Sequence, residues 1–296
     1  MNHQIRHSSG SSLPELSDEQ FVRWQALLEE RTGNRMPVQR RTFLQTSLGM
    51  RMREIDCKDY SEYYSKVVSG PSGAIEWNTL VDRLTVQETR FFRDPDAIEC
   101  VQQFMEEALE RFPNDETLEM WSVGCSSGEE AYSLSMVADD VWGSNGRHFA
   151  VTGTDISTFV LKKARAGTYP ASARHWIPEE YQRRYCVEAD NGKFRLSDAI
   201  RQRSCFTQVN MLNLSAFPLQ SQHIIYCQNV LIYFRRWRRK EILNELAARL
   251  VPGGILVIGL GEIVDWHNPL LEPIRGGKLT AFIRKHNDTN METERR

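Results

Sequence analysis

The fold is decided by the stretch Trp121-Ser122-Val123-Gly124-Cys125-Ser126-Ser127-Gly128-Glu129-Glu130-Ala131. Its apolar start is typical of a short buried strand, and a helical spacing of apolar residues continues after it. Gly124 and Gly128 allow a tight turn in which the backbone can approach a ligand closely. A strand, a glycine turn and a helix form the first unit of a nucleotide-binding α/β sheet. We therefore expect a ligand cradle at this turn, although a glycine turn can also simply close a strand–helix corner.

The spacing of the glycines disfavours a dinucleotide. Dinucleotide sites use G-x-G-x-x-G and place a pyrophosphate against the bare amides of a helix N-terminus. Here the glycines are four residues apart, and the helix begins with Glu129 and Glu130. Two carboxylates disfavour a phosphate and suit a cationic ligand, such as one that carries an ammonium and a sulfonium.

Polar residues follow four predicted strands at the same edge of the sheet. After the first strand, the pattern predicts strands over Phe149–Ile156, Cys205–Val209, His223–Cys227 and Ile255–Leu260, the last after the turn Pro252-Gly253-Gly254. Open α/β sheets bind ligands beyond the carboxyl ends of their strands, where Gly124, Asp155, Asn210 and Asn229 fall. Asp155 is placed to accept hydrogen bonds from ribose hydroxyls.

The N-terminal part of the chain has helical periodicity. Ser17 and Gln20 form a capping box for a first helix that ends at Gly33. Two later helices are predicted on either side of Gly70-Pro71-Ser72-Gly73. These patterns indicate a small all-helical domain over residues 13–84, after a disordered leader at residues 1–12.

The second predicted helix, from about Val38 to Arg53, carries basic residues. Helical spacing places Arg40 and Arg51 on one face and Phe43 with Leu48 on the side that packs.

Composition limits the class of protein. The chain has 296 residues, of which 41% are hydrophobic and 26% charged, enough for one large domain and one small one. No apolar run approaches the roughly 20 residues of a membrane span, so we expect a cytoplasmic protein without membrane insertion. The six cysteines form no C-x-x-C pair and the seven histidines no H-x-x-x-H pattern, so neither a disulfide framework nor a metal site is indicated.

The net charge of −2 conceals two basic runs. Six arginines lie between Arg31 and Arg53 without an acidic residue, and four arginines and a lysine lie within Arg235–Lys240. Both runs suit an acidic partner, although either can be a solvated helix face.

Two segments interrupt the regular pattern. Thr85–Asp94 is a polar linker around Phe91-Phe92, which is either a capped loop pinned by two aromatics or a segment that folds over the glycine cradle. Residues 185–204 contain Asp190-Asn191-Gly192, a strong hairpin signal, and indicate a small β insert.

Four motifs in order resemble those of the CheR-type chemoreceptor methyltransferases, and the resemblance covers nearly the whole chain. They are Thr-x-x-x-Thr-x-Phe-Phe-Arg-Asp at 85–94, Trp-Ser-x-Gly-Cys-Ser-Ser-Gly-Glu-Glu-x-Tyr-Ser at 121–133, Gly-Thr-Asp-Ile-Ser at 153–157, and Asn-Val-x-Ile-Tyr-Phe at 229–234. This family uses S-adenosylmethionine to esterify glutamate side chains on the cytoplasmic helices of bacterial chemoreceptors.

The resemblance implies a Rossmann-like class I methyltransferase of the α/β class with a small all-helical N-terminal domain and an inserted antiparallel β subdomain. The expected divisions are a receptor-contacting domain at 13–84, a linker that contributes to the cofactor site at 85–96, and a methyltransferase domain at 97–286. The insert occupies 185–204 and a polar tail 287–296.

The resemblance also implies the site residues. The cofactor contacts fall on Gln87, Thr89, Arg93, Glu130, Asp155, Asn210, Met211, Asn229 and Val230. Arg93 and Tyr233 are the expected catalytic residues, because a guanidinium can hold the acceptor carboxylate in line with the methyl group and a phenol can steady it. Arg40, Arg51 and Arg53 are expected to contact the acidic receptor helices.

Some residues depart from the family pattern. Gln87 replaces a typical asparagine, Gly259-Leu260-Gly261-Glu262 replaces Gly-His-Ser-Glu, and the run at 235–240 is more basic. A receptor of a pilus-type or other alternative chemosensory system is therefore a plausible partner. The loop Glu188–Lys193 is short, so we expect a monomeric enzyme that works without gripping a C-terminal receptor pentapeptide.

Two rival functions stay open from the residues. A nucleic-acid methyltransferase would explain the arginines, but amino-methylating enzymes of that kind carry Asn/Asp-Pro-Pro-aromatic where this chain has Asn229-Val230-Leu231-Ile232-Tyr233. A cofactor-binding module without catalysis is the other, and the presence of both Arg93 and Tyr233 argues against it.

Overall fold

The structure is a computed structural model that describes residues 15–216, 218–274 and 279–286. The expected leader and polar tail lie outside the described residues. The chain forms two compact units, the first made of residues up to Arg31 together with Arg35–Leu84, and the second of Thr32–Asn34 together with the chain from Thr85 onward.

The first unit is all-helical. Its helices are α1 (Asp18–Thr32), α2 (Arg41–Glu54), α3 (Tyr60–Val68) and α4 (Gly70–Leu84), with a 3-10 turn at Val38–Arg40 before α2. The capping box is present, because the Ser17 amide donates to Gln20 Oε1 at 3.1 Å and the Gln20 amide to Ser17 Oγ at 3.2 Å. A core that includes Trp24, Leu48 and Tyr63 holds the helices together.

The segment Gly70-Pro71-Ser72-Gly73 does not separate two helices, as the sequence pattern suggested. It forms the first turn of α4, where proline is tolerated because the first amides of a helix have no helical partner. A Cβ on Gly73 would lie 2.7 Å from the Lys66 carbonyl oxygen, so glycine allows α3 and α4 to approach closely.

The packing face of α2 contains Leu48 as expected, but not Phe43. Leu44 and Leu48 are buried, whereas Phe43 is 36% exposed and lies beneath the Arg40 guanidinium at 4.3 Å. Phe43 and Leu48 are five residues apart in α2, about 140° around the helix, so the two side chains cannot share one packing face.

The second unit is a mostly parallel sheet with helices on both faces. Its helices are α5 (Pro95–Arg111), α6 (Glu129–Val141), α7 (Thr158–Ala166), α8 (Glu179–Tyr185), α9 (Asp198–Arg201) and α10 (Arg236–Arg249). Its strands are β1 (Leu118–Val123), β2 (Phe149–Asp155), β3 (Thr168–Pro170), β4 (Cys186–Ala189), β5 (Lys193–Leu196), β6 (Ser204–Gln208), β7 (Gln222–Cys227), β8 (Leu250–Ile258), β9 (Leu271–Pro273) and β10 (Thr280–Arg284).

The seven-stranded sheet has the order β6-β2-β1-β7-β8-β10-β9, with β10 antiparallel to β8 and β9. From β1 the chain builds outward to β2 and β6 on one side, then crosses to β7 and β8 on the other. The direction of growth reverses between β1 and β7, which is where such sheets bind ligands.

The central strands are buried on both faces. Along β1, Met120 belongs to the core on one side of the sheet, and Trp121 and Val123 to the core on the other. This burial explains the nearly continuous apolar runs of the sequence.

The fifth parallel strand begins earlier than predicted. Pro252-Gly253-Gly254 lies inside β8, opposite a register irregularity in β7, instead of preceding the strand as a turn. The antiparallel strands β9 and β10 are additional to the predicted elements. They are only three and five residues long, which gives little periodicity to detect.

The insert forms a separate three-stranded antiparallel sheet of order β3-β5-β4. Its hairpin turns at the expected place, where Asn191 and Gly192 have positive φ of 59° and 66°. The edge strand Thr168–Pro170 also joins this sheet, although no pattern in the sequence indicated it.

No helix among the described residues is long and apolar enough to cross a membrane.

Candidate functional site

The glycine turn after β1 is a cradle that a side chain would fill. Gly124 has a φ of +74°, and a Cβ there would lie 2.8 Å from Val230 Cγ2. Gly128, with a φ of +94°, is the N-cap of α6 and is equally close to the Ala164 Cβ. Only glycine allows this backbone conformation together with these contacts.

Asp155 and Gln87 are tied to this turn. The Asp155 carboxylate accepts from the Ser126 amide at 3.0 Å and from the Ser157 amide at 2.9 Å. Ser126 Oγ donates to the Gln87 carbonyl oxygen at 3.1 Å. The carboxylate that was predicted to bind ribose is therefore fixed by backbone amides at the end of β2, and the segment Thr85–Asp94 lies against the glycine turn.

Aromatic packing fixes the segment that carries Arg93. Phe91 meets Tyr169 edge to face at 4.9 Å, and Phe92 stacks on Tyr181 at 5.6 Å. The Phe92 amide donates to Ser133 Oγ at 3.0 Å, although its φ of 48° lies in the left-handed region. The segment is thus a loop pinned by two aromatics that also contacts the glycine turn, and its role toward a ligand stays a prediction.

Arg93 is held without an acidic partner. Its Nη1 donates to the Glu88 carbonyl oxygen at 3.0 Å. Within the part of the chain that the structure describes, no carboxylate lies within ion-pair distance of this guanidinium. Arg93 can therefore still bind an anion, while Thr89 lies partly buried in the same segment.

Glu130 is a carboxylate in a desolvated position. Ser122 Oγ donates to its Oε1 at 2.6 Å. The pKa of Glu130 is raised to about 8, chiefly by burial and also by the nearby Glu262. The Ser122 hydrogen bond and the charge of Arg93 oppose this increase. A positively charged ligand would favour the ionised form of this group.

A second buried carboxylate, Glu262, joins the site from the loop after β8. Its Oε2 accepts from the Leu231 amide at 3.3 Å, and the amides of Asn229 and Val230 act on the same carboxyl. Desolvation raises its pKa to about 7, against the effect of these amides. The sequence analysis named Glu262 only as the last residue of a stretch that departs from the family pattern. Its place beyond the fifth parallel strand was the signal that could have identified it.

The loop from Asn229 to Tyr233 is held from two sides. Glu262 binds its amides, and Arg239 donates to the carbonyl oxygens of Ile232 at 3.2 Å and Phe234 at 2.9 Å. Asn229 has a φ of 58°, a strained conformation for a residue other than glycine. The loop places Val230 against Gly124 and leaves Tyr233 partly buried.

The remaining predicted cofactor residues lie at the same edge but farther along it. Asn210 follows β6, and its Oδ1 accepts from the Leu212 amide at 3.0 Å. Met211 packs against the core on the α10 side of the sheet.

Taken together, the cradle, the two carboxylates and Arg93 fit a cofactor that is cationic at one end and carries ribose hydroxyls. Three residues other than glycine have left-handed backbone at this edge, namely Phe92, Ser126 and Asn229. Such strain persists only where the surroundings determine it, and it clusters at functional sites.

The predicted receptor contacts lie in the first unit and have different surroundings. Arg51 donates from Nε and Nη2 to both oxygens of Glu76 at 2.8 and 2.7 Å, and from Nη1 to Glu54 at 2.9 Å. Arg40 is partly exposed and Arg53 is exposed. The guanidinium of Arg51 is therefore engaged within its own unit.

Comparison with known families supports both units. Residues 87–278 match the family model described as CheR methyltransferase, SAM binding domain, and residues 19–85 match the one described as CheR methyltransferase, all-alpha domain.

Full-length relatives carry related names. A protein of Vibrio cholerae called Chemotaxis protein methyltransferase 2 is 28% identical over 273 residues, covering 92% of this chain and 94% of the relative. Chemotaxis protein methyltransferase 1 of Pseudomonas aeruginosa is 31% identical, covering 83% of this chain and 90% of the relative. The Chemotaxis protein methyltransferase of Escherichia coli is 28% identical, with 83% and 85% coverage.

Proposed function

The chain belongs to the CheR methyltransferase family, and from this we propose that it methylates glutamate side-chain carboxylates on the cytoplasmic helices of bacterial chemoreceptors, forming methyl esters. The observation that carries the proposal is that the desolvated Glu130 lies near Arg93, which makes no ion pair within the described residues. One group suits the positive charge of the donor, and the other suits the negative charge of the acceptor.

When bound, S-adenosylmethionine supplies a methyl group on a positively charged sulfur, and transfer to a carboxylate oxygen gives a neutral ester and a neutral thioether. The acceptor needs no general base, because a glutamate with an ordinary pKa of about 4.3 is already ionised at neutral pH. The task of the chain is therefore to position and desolvate two opposite charges.

The residues divide this task. Glu130 favours the cationic end of the donor, and Asp155, fixed by the Ser126 and Ser157 amides, accepts from ribose hydroxyls. Arg93 presents the remaining donors of its fork to the acceptor carboxylate, with the geometry that arginine provides for carboxylates. Tyr233 offers a phenol from the loop over Gly124 to steady the acceptor. Gln87, Thr89, Asn210, Met211, Asn229 and Val230 complete the cofactor contacts.

A methanol-release assay tests the activity. The purified chain is incubated with methyl-labelled S-adenosylmethionine and chemoreceptor cytoplasmic fragments, and the labelled protein is then treated with base. A carboxyl methyl ester releases volatile methanol, whereas N-methyl groups on protein or nucleic acid stay in place. Base-stable label would contradict the proposal, and so would an absence of label with a binding-competent chain.

Recognition of the receptor is proposed to use the basic face of the first unit. Arg40 and Arg53 can contact an acidic helical bundle, and Arg51 supports that face through Glu76 and Glu54. Charge reversal at Arg40 and Arg53 should slow methylation, more strongly at low salt, and leave cofactor affinity unchanged.

The short hairpin loop between β4 and β5 supports a further part of the proposal, that the monomeric enzyme works without a receptor pentapeptide tether. Titration with the pentapeptide should show no tight binding, and saturable binding at low micromolar concentration would contradict independence from the tether.

A further inference from the structure

Beside the proposed catalytic loop, the surface combines exposed apolar residues with basic ones. Ile232, Trp237, Leu260 and Val264 are 48%, 52%, 68% and 63% exposed. We call these four residues, with Arg236 and Lys240, the α10 rim. An exposed tryptophan accompanied by three aliphatic residues is unusual on a surface that contacts only water.

Arg239 connects two loops of the rim to the start of α10. Its Nη2 donates to the Ile232 carbonyl oxygen at 3.2 Å, and its Nη1 to the Glu262 carbonyl oxygen at 2.9 Å. Arg239 itself lies in the first turn of α10, between Trp237 and Lys240. The loops that carry Ile232, Leu260 and Val264 are therefore fixed to the start of this helix.

The charge of the rim is positive. Arg236 and Lys240 are exposed, and the first turn of α10 contains no acidic residue. Glu241 pairs with Arg238 at 2.6 Å, and that guanidinium lies 4.2 Å from the Trp237 ring. Asp265 is the acidic residue at the far end of the rim. The surface thus pairs an aromatic anchor with cations, the composition that protein interfaces favour.

We propose that the α10 rim is a second docking surface for the methyl-accepting protein, and that it binds an acidic, amphipathic helical face next to the carboxylate being methylated. This inference rests on the proposed function. Ile232 directly precedes Tyr233 in the chain, so a helix whose carboxylate reaches Tyr233 passes beside the rim. On such a helix, neighbouring carboxylates lie about one turn, roughly 5.4 Å, away, and apolar side chains lie on the same stripe.

Steady-state kinetics with receptor fragments test the proposal. Trp237→Ala and Arg236→Glu should each raise the KM for the fragment about five- to twentyfold. The kcat and the Kd for S-adenosylhomocysteine should stay within about twofold, and the effect of Arg236→Glu should shrink at high salt. Lys162→Glu on α7 is the matched charge control and Leu219→Ala the matched apolar control, and both should leave the KM unchanged.

The outcomes separate the two proposals. A wild-type chain that binds S-adenosylhomocysteine but esterifies no receptor fragment contradicts the proposed function itself. A wild type that methylates normally while Trp237→Ala and Arg236→Glu leave the KM unchanged contradicts the docking surface alone. Parallel loss of kcat and cofactor affinity in the variants would assign the rim a structural role and also overturn the inference. The inference would also be overturned if Trp237→Ala and Arg236→Glu weakened binding to anionic phospholipid vesicles and left the KM for the receptor fragment unchanged.

Discussion

The two units each bring arginine and glutamate together, but they use the charges in opposite ways. In the first unit, both oxygens of Glu76 bind Arg51, and Tyr63 OH donates to Glu76 at 2.7 Å. Burial alone would raise the pKa of Glu76, but these hydrogen bonds outweigh burial and lower it. In the second unit, Glu130 and Glu262 have raised pKa values of about 8 and 7.

The comparison separates carboxylates that stabilise the fold from carboxylates that are suited to bind a ligand. The network around Glu76 is complete within the chain, so it contributes to the stability of the helical unit. Glu130 and Glu262 are desolvated, and neither makes an ion pair within the described residues. This arrangement costs stability that a cationic ligand can restore. Perturbed carboxylates at a ligand-binding edge are thus better indicators of function than well-paired ones elsewhere.

The largest expected effect is at the unpaired arginine. Arg93→Ala should lower kcat for methyl transfer about 10²- to 10³-fold, the usual loss when a fixed donor to reacting charge is removed. Thermal stability should change little, because this guanidinium makes no ion pair in the described chain. Arg93→Lys is the control and should retain part of the activity. An unchanged kcat in Arg93→Ala would show that Arg93 has no catalytic role.

Next comes the paired network of the first unit. Glu76→Ala leaves Arg51 and Tyr63 without their shared acceptor and should cost about 2–3 kcal/mol of unfolding free energy. Hydrogen–deuterium exchange of α2–α4 measures this loss, while cofactor affinity should stay constant. The exposed pair of Asp18 and Arg41 is the control, and Asp18→Ala should cost less than about 1 kcal/mol. An equal loss of unfolding free energy in Glu76→Ala and Asp18→Ala would contradict the expected difference between the buried network and the exposed pair.

A smaller effect is expected at Glu130. Glu130→Gln keeps the shape but removes the charge, and should weaken S-adenosylhomocysteine binding about tenfold, or roughly 1.4 kcal/mol. The stability of the ligand-free protein should not fall, because glutamine avoids the unfavourable ionisation of a buried carboxyl. Glu129→Gln is the matched control, because that carboxylate accepts from Ser127 Oγ at 2.7 Å instead of facing Arg93. Calorimetric titration that finds both variants equally weakened would refute a specific role for Glu130.

The smallest effect is in the pH dependence. When folding raises the pKa of a carboxyl, the folded protein becomes less stable as pH rises from the ordinary pKa through the raised one. Glu130 and Glu262 should therefore lower the stability of the ligand-free second unit progressively between pH 4.5 and about 8. A cationic ligand binds the ionised form about tenfold more tightly than the neutral one, so affinity should increase about threefold between pH 6 and 7.5. Glu130→Gln should flatten this dependence, and a wild-type affinity that falls with rising pH would contradict it.

The sequence predicted the parts of the molecule that local patterns encode. Parallel strands buried on both faces give long apolar runs, and the motifs at 121–133 and 153–157 locate the cradle and Asp155. The fold class and the family were confirmed. The assigned roles of the individual site residues remain predictions.

Other features depend on distant contacts that a local pattern does not contain. The engagement of Arg51 by Glu76 joins residues 25 positions apart, and Glu262 reaches Leu231 across 31 positions. Likewise, Gly70-Pro71 begins α4, where proline suits the first helical turn. The close packing of Gly73 against α3, which fixes this start, is not visible in the local sequence.

Arg239 has a consequence beyond its own hydrogen bonds. One side chain, in the same helical turn as Trp237, hydrogen-bonds both the loop that overlies the glycine cradle and the loop that carries Glu262. Evolutionary changes at that position would alter donor affinity and partner choice together, whereas changes at Trp237 or Arg236 can retune the partner alone. Under the proposed roles, partner specificity can therefore change during evolution while the methyl-transfer site is retained.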